Sequence, residues 1–204
     1  MSDELFQAIG QHDVKSVAEL LSRGDDPNAP QPELPNWRPL EAAIEELGSG
    51  ASVEVVRLLI KHGADVNAWD LAHSLTPLHR AMFHENEQTI RLLLEAGADP
   101  NPVSNQGDSA LRLAVEQNNL EMAALCLHYG ASQTINESGG FCGNTVLGLA
   151  ALKLNLPMIE LLLEGGADPE ALDSDDLTAK EYLPARERSS PKKWDKAAKL
   201  LSGK

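Results

Sequence analysis

TPLHRAMFHENEQTIRLLLEAGADPN, residues Thr76 to Asn101, predicts two short helices joined by a turn and followed by a loop. The Thr76 hydroxyl can cap free backbone N–H groups, and Pro77 is favoured at the first position of a helix. Apolar residues then recur at helical spacing, which gives the first helix one narrow buried side. These residues are Leu78, Ala81 and Met82.

A second helix with a wider apolar face follows the polar residues 84–87. Such a face is expected of a helix that packs between neighbours. It consists of Ile90, Leu92, Leu93 and Leu94. Gly97 comes next, at a place where helices commonly end in a left-handed conformation. One such unit cannot bury both of its faces, so it requires further copies of itself.

The helix-ending glycine recurs along the chain. It stands at Gly24, Gly63, Gly97, Gly130 and Gly166, with spacings of 39, 34, 33 and 36 residues. In four units, a leucine of the first helix precedes this glycine by 19 residues, whereas Leu40 precedes Gly63 by 23. The four extra residues lie around 48–51 and are expected to lengthen the first helix or enlarge the turn. Neutral drift and a functional role both remain open for them.

The pattern resembles the ankyrin repeat, whose period is about 33 residues. The resemblance rests on TPLH at Thr76–His79 and GADVNA at Gly63–Ala68, and it covers residues 4–183. It implies an all-α ankyrin-repeat solenoid, in which stacked helix-turn-helix units carry projecting finger loops. We expect a single domain, 1–204, with repeats at 1–35, 36–68, 69–102, 103–133, 134–171 and 172–204. The first repeat is an N-terminal cap, and the last is a partial repeat with a C-terminal cap.

Composition favours a cytoplasmic protein without membrane contact. The chain has 42% apolar residues but no run of about 18 uncharged apolar residues, as a membrane-spanning helix would require. Its N-terminus carries acids where a signal peptide carries Lys or Arg. Cys126 and Cys142 are too few for a disulfide framework in a chain of this length.

Charge is unevenly distributed. The net charge is −14, but residues 1–183 carry 10 basic and 29 acidic side chains, a balance of −19, and the basic excess follows from Arg186 onward. An acidic surface repels nucleic acids and steers basic proteins toward itself. Simple solubility would explain the same charge.

The resemblance also implies where a partner binds, because finger tips and exposed first-helix positions line a concave face in this family. The fingers carry Trp37, Trp69, Leu71, His73 and Phe141, and the first helices carry Glu45, Glu46, Arg80, Phe83, Glu116, Leu149 and Leu152, with Leu113 beside them. Aromatic side chains ringed by acids are typical of protein interfaces. Alternatively, Trp37 and Trp69 pack against neighbouring fingers. We expect the interface centre at the solvent-facing Arg80 and Phe83, behind the finger of Trp69.

Motifs of catalysis are missing from the sequence. His79, in TPLH, is expected to brace the loops, as it does in this family. His79 and His84 are five residues apart rather than the four of a zinc pair on one helix face. No nucleophile signature or phosphate-binding loop occurs. We therefore expect no enzyme, no cofactor and no metal.

The leading hypothesis is a monomer that binds another, basic protein and not nucleic acid. A narrower form is an inhibitor or immunity-type protein that plugs the cleft of its partner. The alternative is an adaptor or scaffold controlled by modification of Ser189 or Ser190, beside Pro191. A protein that binds a small molecule or metal is the third reading.

Overall fold

The computed structural model describes residues 2–31, 35–70 and 74–203, which contain eleven α-helices and no β-strand. The all-α prediction is confirmed. The chain forms two compact units, residues 1–99 and residues 100–204. No helix in the described part of the chain is both long and apolar enough to cross a membrane.

The first unit consists of three helix pairs. They are α1 (Ser2–Gly10) with α2 (Val14–Ser22), α3 (Pro39–Glu46) with α4 (Val53–Lys61), and α5 (Pro77–Phe83) with α6 (Glu87–Glu95). Helix α3 packs against α1 and α5, and α4 packs against α2 and α6, so the first and second helices form two layers. The core lies between these layers, where Ile44, Leu59 and Leu78 are fully buried.

Side-chain caps explain where the helices begin. Thr76 Oγ1 lies 2.9 Å from His79 Nδ1, and the Thr76 backbone N–H donates to the same nitrogen, so His79 holds the start of α5. His79 thus caps α5 within its own repeat, while the bracing of the loops expected of it stays a prediction. Asn86 caps α6 by accepting from the Thr89 N–H at 3.0 Å, which satisfies a donor that the helix leaves free.

The four extra residues of the second repeat extend its first helix. A 3₁₀ turn, Leu47–Ser49, continues α3, and Gly50 then adopts a left-handed conformation with φ of 92°. Ser52 caps α4 immediately afterwards. Lengthening of the first helix was one of the two outcomes expected from the sequence.

Asparagines join consecutive repeats in both units. Asn28 donates to Gly63 O at 2.9 Å and accepts from Asp65 N at 2.8 Å. Asn67 makes the equivalent bonds to Gly97 O and Asp99 N. In the second unit, Asn101 and Asn136 occupy the same role. Asn101 donates to Gly130 O at 3.0 Å, and Asn136 accepts from Asp168 N at 2.8 Å.

The second unit has two helix pairs and a C-terminal helix. They are α7 (Ala110–Glu116) with α8 (Leu120–His128), α9 (Val146–Leu152) with α10 (Leu156–Glu164), and α11 (Pro191–Leu200). The partial repeat forms a 3₁₀ turn, Ala179–Tyr182, which packs against α9. Helix α11 packs against α10, with Ala197 and Leu201 buried, as the predicted cap requires.

Candidate functional site

The finger of the third repeat is closed by a hydrogen bond from Asp70 N to Leu75 O at 2.8 Å. Two residues proposed from the sequence for partner binding, Leu71 and His73, lie outside the described residues. Trp69, at the base of this finger, is 42% exposed, and Phe83, at the end of α5, is 47% exposed. The exposure expected of both side chains is confirmed.

Arg80 is not solvent-facing, so that expectation is wrong. Only 5% of the residue is exposed. Its guanidinium donates to the carboxylates of Asp70 and Glu45, and its central carbon lies 4.7 Å from the centroid of the Trp37 ring. Arg80 is buried because two acids and one aromatic ring are placed to receive its charge.

Trp37 and the acids of α3 take part in contacts within the first unit. Trp37 is half-buried beneath the Arg80 guanidinium, which favours the reading that it packs rather than projects. Glu45 also contacts His84 at 3.2 Å, and Glu46 contacts His12 at 3.0 Å. These half-buried carboxylates are already engaged, so they are poorly placed to attract a basic partner.

The place of His79 is taken by other side chains in neighbouring repeats. When the repeats are aligned on the residue that begins each first helix, the residues at the position of His79 are Glu41, Arg112 and Gly148. Glu41 is buried and accepts from the backbone N–H of Arg38 at 2.7 Å, as in a capping box. Burial raises the pKa of Glu41, while the Arg38 hydrogen bond and the charges of Arg38 and Arg80 act to lower it.

The fingers of the second unit meet through glycines. Gly140 N donates to Gly107 O at 3.0 Å. A Cβ added to Gly107, which has a φ of 82°, would lie 2.6 Å from Gly140 N, so only glycine fits there. The next finger adds Ser174, whose hydroxyl donates to Gly143 O at 3.1 Å. These contacts hold neighbouring fingers side by side.

Arg112 stabilises the finger that carries Gly140. It is buried, donates to Asn144 O, and lies 3.4 Å from the Glu116 carboxylate. Phe141 stands on this braced finger with its side chain fully exposed. A large aromatic side chain is thus presented to solvent on a well-supported loop.

The remaining residues proposed from the sequence divide by exposure. Glu116 is exposed, Leu152 is 50% exposed, and Leu149 is half-buried. Leu113 is only 4% exposed, because it packs into the core of the second unit, so it is unavailable to a partner. The partner-binding role of the accessible residues stays a prediction.

Polar groups that could hold a metal do not cluster. Among the residues that the structure describes, no three His, Cys, Asp or Glu side chains are grouped as a metal site would require. Burial raises the pKa of the Cys126 thiol to about 12, so this cysteine is a packed core residue rather than a reactive thiolate.

Two family models match the chain. The model described as ankyrin repeats (3 copies) matches residues 5–104, and the model described as ankyrin repeats (many copies) matches residues 111–163. Ankyrin repeats mediate protein–protein interaction, and the fold is typically a non-catalytic module.

Among curated proteins, the chain is 28% identical over 176 residues to NF-kappa-B inhibitor alpha of Sus scrofa, which covers 84% of the chain and 56% of that protein. Six further curated relatives are spanned over no more than 36% of their length. The chain therefore corresponds to only part of these relatives.

Solved structures share the fold over nearly the whole chain. An ankyrin repeat domain from Acinetobacter baumannii AYE has a TM-score of 0.80 at 25% identity, covering 98% of this chain and 96% of that one. A chain in the complex of a predatory endopeptidase from Bdellovibrio bacteriovorus with an immunity protein has a TM-score of 0.72 at 24% identity, covering 100% and 98%. The second likeness shows the fold alone.

Proposed function

Because the chain belongs to the ankyrin-repeat family, we propose that it is a non-catalytic monomer that binds another protein through apolar side chains on its fingers and first helices. One observation carries this proposal. Of the seven large apolar side chains that are exposed among the described residues, only Leu120 lies on a second helix. The other six lie on a finger, next to one, or on a first helix: Trp69, Phe83, Val103, Phe141, Leu152 and Leu172.

Single exposed apolar residues are normal on a soluble protein, but their distribution is informative. Each unit keeps its second helices almost free of them and places them at the fingers and first helices. Burial against a partner would remove this apolar surface from water, at about 25 cal/mol per Å². Phe141 is the strongest anchor, because its supporting finger is already ordered and binding would lose little conformational entropy.

Acidic residues around Phe141 favour a basic partner. Glu137 belongs to the same loop as Phe141, and Asp175 and Asp176 belong to the next finger. All three are exposed, and no ion pair joins them to the rest of the described chain. Their uncompensated charge would steer Lys- and Arg-rich surfaces toward the finger.

The narrower form of the proposal is inhibition. One relative is named as an inhibitor, and one structural neighbour comes from a complex with an immunity protein. A projecting aromatic side chain on a braced finger is suited to enter a cleft of a partner enzyme. In this form, Phe141 would block access to the cleft rather than merely attach the two proteins.

Binding can be tested with matched variants. The partner is first captured from native lysate on immobilised protein, identified by mass spectrometry and purified. We expect the double variant Phe141→Ala/Leu152→Ala to bind it about tenfold more weakly or worse, because two exposed anchors are lost. Leu120→Ala also removes an exposed leucine, but from a second helix, and should bind as the wild type does.

Equal binding by the double variant and Leu120→Ala would refute the proposed surface. If the partner is an enzyme whose activity is unchanged when saturated with this protein, the inhibitor form is refuted while the binding function remains.

The adaptor alternative rests on Ser190. This exposed residue stands immediately before Pro191 at the start of α11. A phosphate there would be stabilised by the positive end of the helix dipole. Intact-mass measurement of the native protein decides this point, since an unmodified mass would remove the support for such control.

A further inference from the structure

The second unit contains an open cavity of about 510 Å³ at the turns that join its first and second helices. These turns lie at the ends of the first helices away from the fingers, so the cavity is separate from the Phe141 finger, and Leu152 at the end of α9 directly precedes Lys153 in its wall. Its walls come from the turns that follow α7 and α9, from the start of α10, and from α11.

Lysines dominate the charge of this cavity. Lys153, Lys193 and Lys196 line it, against the single carboxylate of Glu160. Lys196 pairs with Glu160, and Lys153 donates to the carbonyls of Val115 and Glu116. Lys193 makes no ion pair with any described residue. In a chain with a net charge of −14, such a concave positive surface is an exception.

The cavity also has an apolar part and one amide group that is available to donate. Leu154, Leu156 and Pro157 contribute apolar surface. Asn155 donates to the Asn118 side-chain oxygen at 2.6 Å, which leaves the Asn118 amide nitrogen free to donate to a ligand. Amide donors beside apolar surface are suited to an extended peptide, whose backbone offers carbonyl acceptors.

Leu154 is held in a conformation that leucine disfavours. Its φ is 49°, in the left-handed region, where the equivalent turn of the preceding repeat has Asn118 with a φ of 59°. Asparagine tolerates this conformation, whereas leucine is strained by about 1 kcal/mol or more. The same turn position is left-handed at His12 and Glu85 as well, so the conformation belongs to the repeat, and what distinguishes Leu154 is that an apolar side chain stands there and lines the cavity.

We propose that this cavity binds an acidic protein segment that carries apolar side chains among its Asp and Glu residues. Carboxylates spaced along such a segment would meet the lysines, and its apolar side chains would cover Leu154 and Leu156. A compact phosphate fits less well, because the cavity has no arginine fork and contains the Glu160 carboxylate. The proposal does not rest on the proposed function of the fingers.

Fluorescence polarisation of the full chain with a labelled peptide, in which pairs of Glu alternate with single Leu, tests this site. We expect saturable binding that weakens as salt rises. Lys193→Glu should bind about five- to tenfold more weakly. Lys192→Glu is the matched control, since it makes the same charge change one residue away on α11, outside the cavity, and should bind as the wild type does.

Leu154→Asn separates a binding role from a structural one. It removes apolar surface from the cavity and relieves the backbone strain, so it should weaken peptide binding without lowering the thermal midpoint. Undetectable binding, or equal losses in Lys193→Glu and Lys192→Glu, would overturn the proposal. The proposal would also be overturned if tripolyphosphate displaced the labelled peptide from the wild type as effectively as unlabelled peptide does. That result would indicate a simple anion site.

Discussion

The guanidinium of Arg80 lies over the Trp37 ring, with 4.7 Å between its central carbon and the ring centroid. The same group donates to Asp70 and Glu45, so Arg80 ties together a finger, helix α3 and the approach to α3. We expect Arg80→Met to lower the free energy of unfolding by about 3 kcal/mol, because it removes the buried positive charge that the carboxylates of Asp70 and Glu45 contact. Urea denaturation followed by circular dichroism measures the change.

Arg57→Met is the control for this substitution. Arg57 is exposed and, among the residues that the structure describes, forms an ion pair only with Glu54, three residues before it, so we expect a loss of about 0.5 kcal/mol or less. Similar losses in both variants would show that the Arg80 contacts do not stabilise the first unit.

Glu41 should make stability depend on pH in a defined direction. Burial raises its pKa in the folded protein, so the unfolded chain releases this proton at lower pH than the folded one does. The contribution of Glu41 to stability is therefore full below its unfolded pKa and is lost as pH rises through its folded pKa. Glu41→Gln keeps an acceptor for the Arg38 N–H but cannot ionise.

We expect the stability of Glu41→Gln, relative to the wild type, to increase over the pH range above the ordinary carboxyl pKa of about 4.3, because the unfolded wild type then loses a proton that folded Glu41 still holds. Urea denaturation across this range measures it. A difference between the two proteins that stays constant with pH would contradict the prediction.

Leu154→Asn should stabilise the second unit by about 1 kcal/mol, because asparagine adopts the left-handed conformation at less strain. Thermal and urea unfolding both report this change. Leu156→Asn, two residues later at the first position of α10, has no such strain to relieve and should not stabilise. A loss of stability in Leu154→Asn would show that the packing of the leucine outweighs the strain.

The close contact between Gly107 and Gly139 predicts that two nearby substitutions differ in their effect on stability. Gly139→Ala would drive a methyl group into the Gly107 carbonyl, and we expect a loss of about 2 kcal/mol of stability. Phe141→Ala changes only an exposed side chain and should leave the unfolding midpoint unchanged while it weakens partner binding. Gly10→Ala, where a Cβ meets nothing within 4 Å, controls for the substitution itself.

Much of the fold was predictable because its determinants are local. The determinants of the two helices, which are the apolar spacing, the Thr76 cap and Gly97, lie within one repeat. A similar pattern recurs in the other repeats. The additional length of the second repeat followed from the same comparison. Its form, a 3₁₀ continuation of α3, required the structure, because both outcomes are compatible with the sequence around Gly50.

The candidate site was predictable only in part. Exposure of Trp69, Phe83, Phe141 and Leu152 followed from their repeat positions, since the fold fixes which positions face solvent. Burial of Arg80 did not, because its partners stand 10 and 35 residues away and periodicity does not reveal such pairs. The substitutions at the position of His79 are visible in an alignment of the repeats. The hydrogen bond from Arg112 to the carbonyl of Asn144, 32 residues later on a finger, is not.

The asparagine bonds between repeats have a consequence for how such a chain changes length during evolution. Asn28 and Gly63, which are joined by a side-chain hydrogen bond, are 35 residues apart in sequence. Asn67 and Gly97 are only 30 apart, yet they form the same bond. The additional residues are absorbed largely at the turn around Gly50, between the joined ends. Residues inserted at that turn therefore leave the hydrogen bond between the repeats intact. Selection can change the surface of the turn without disturbing the repeats on either side.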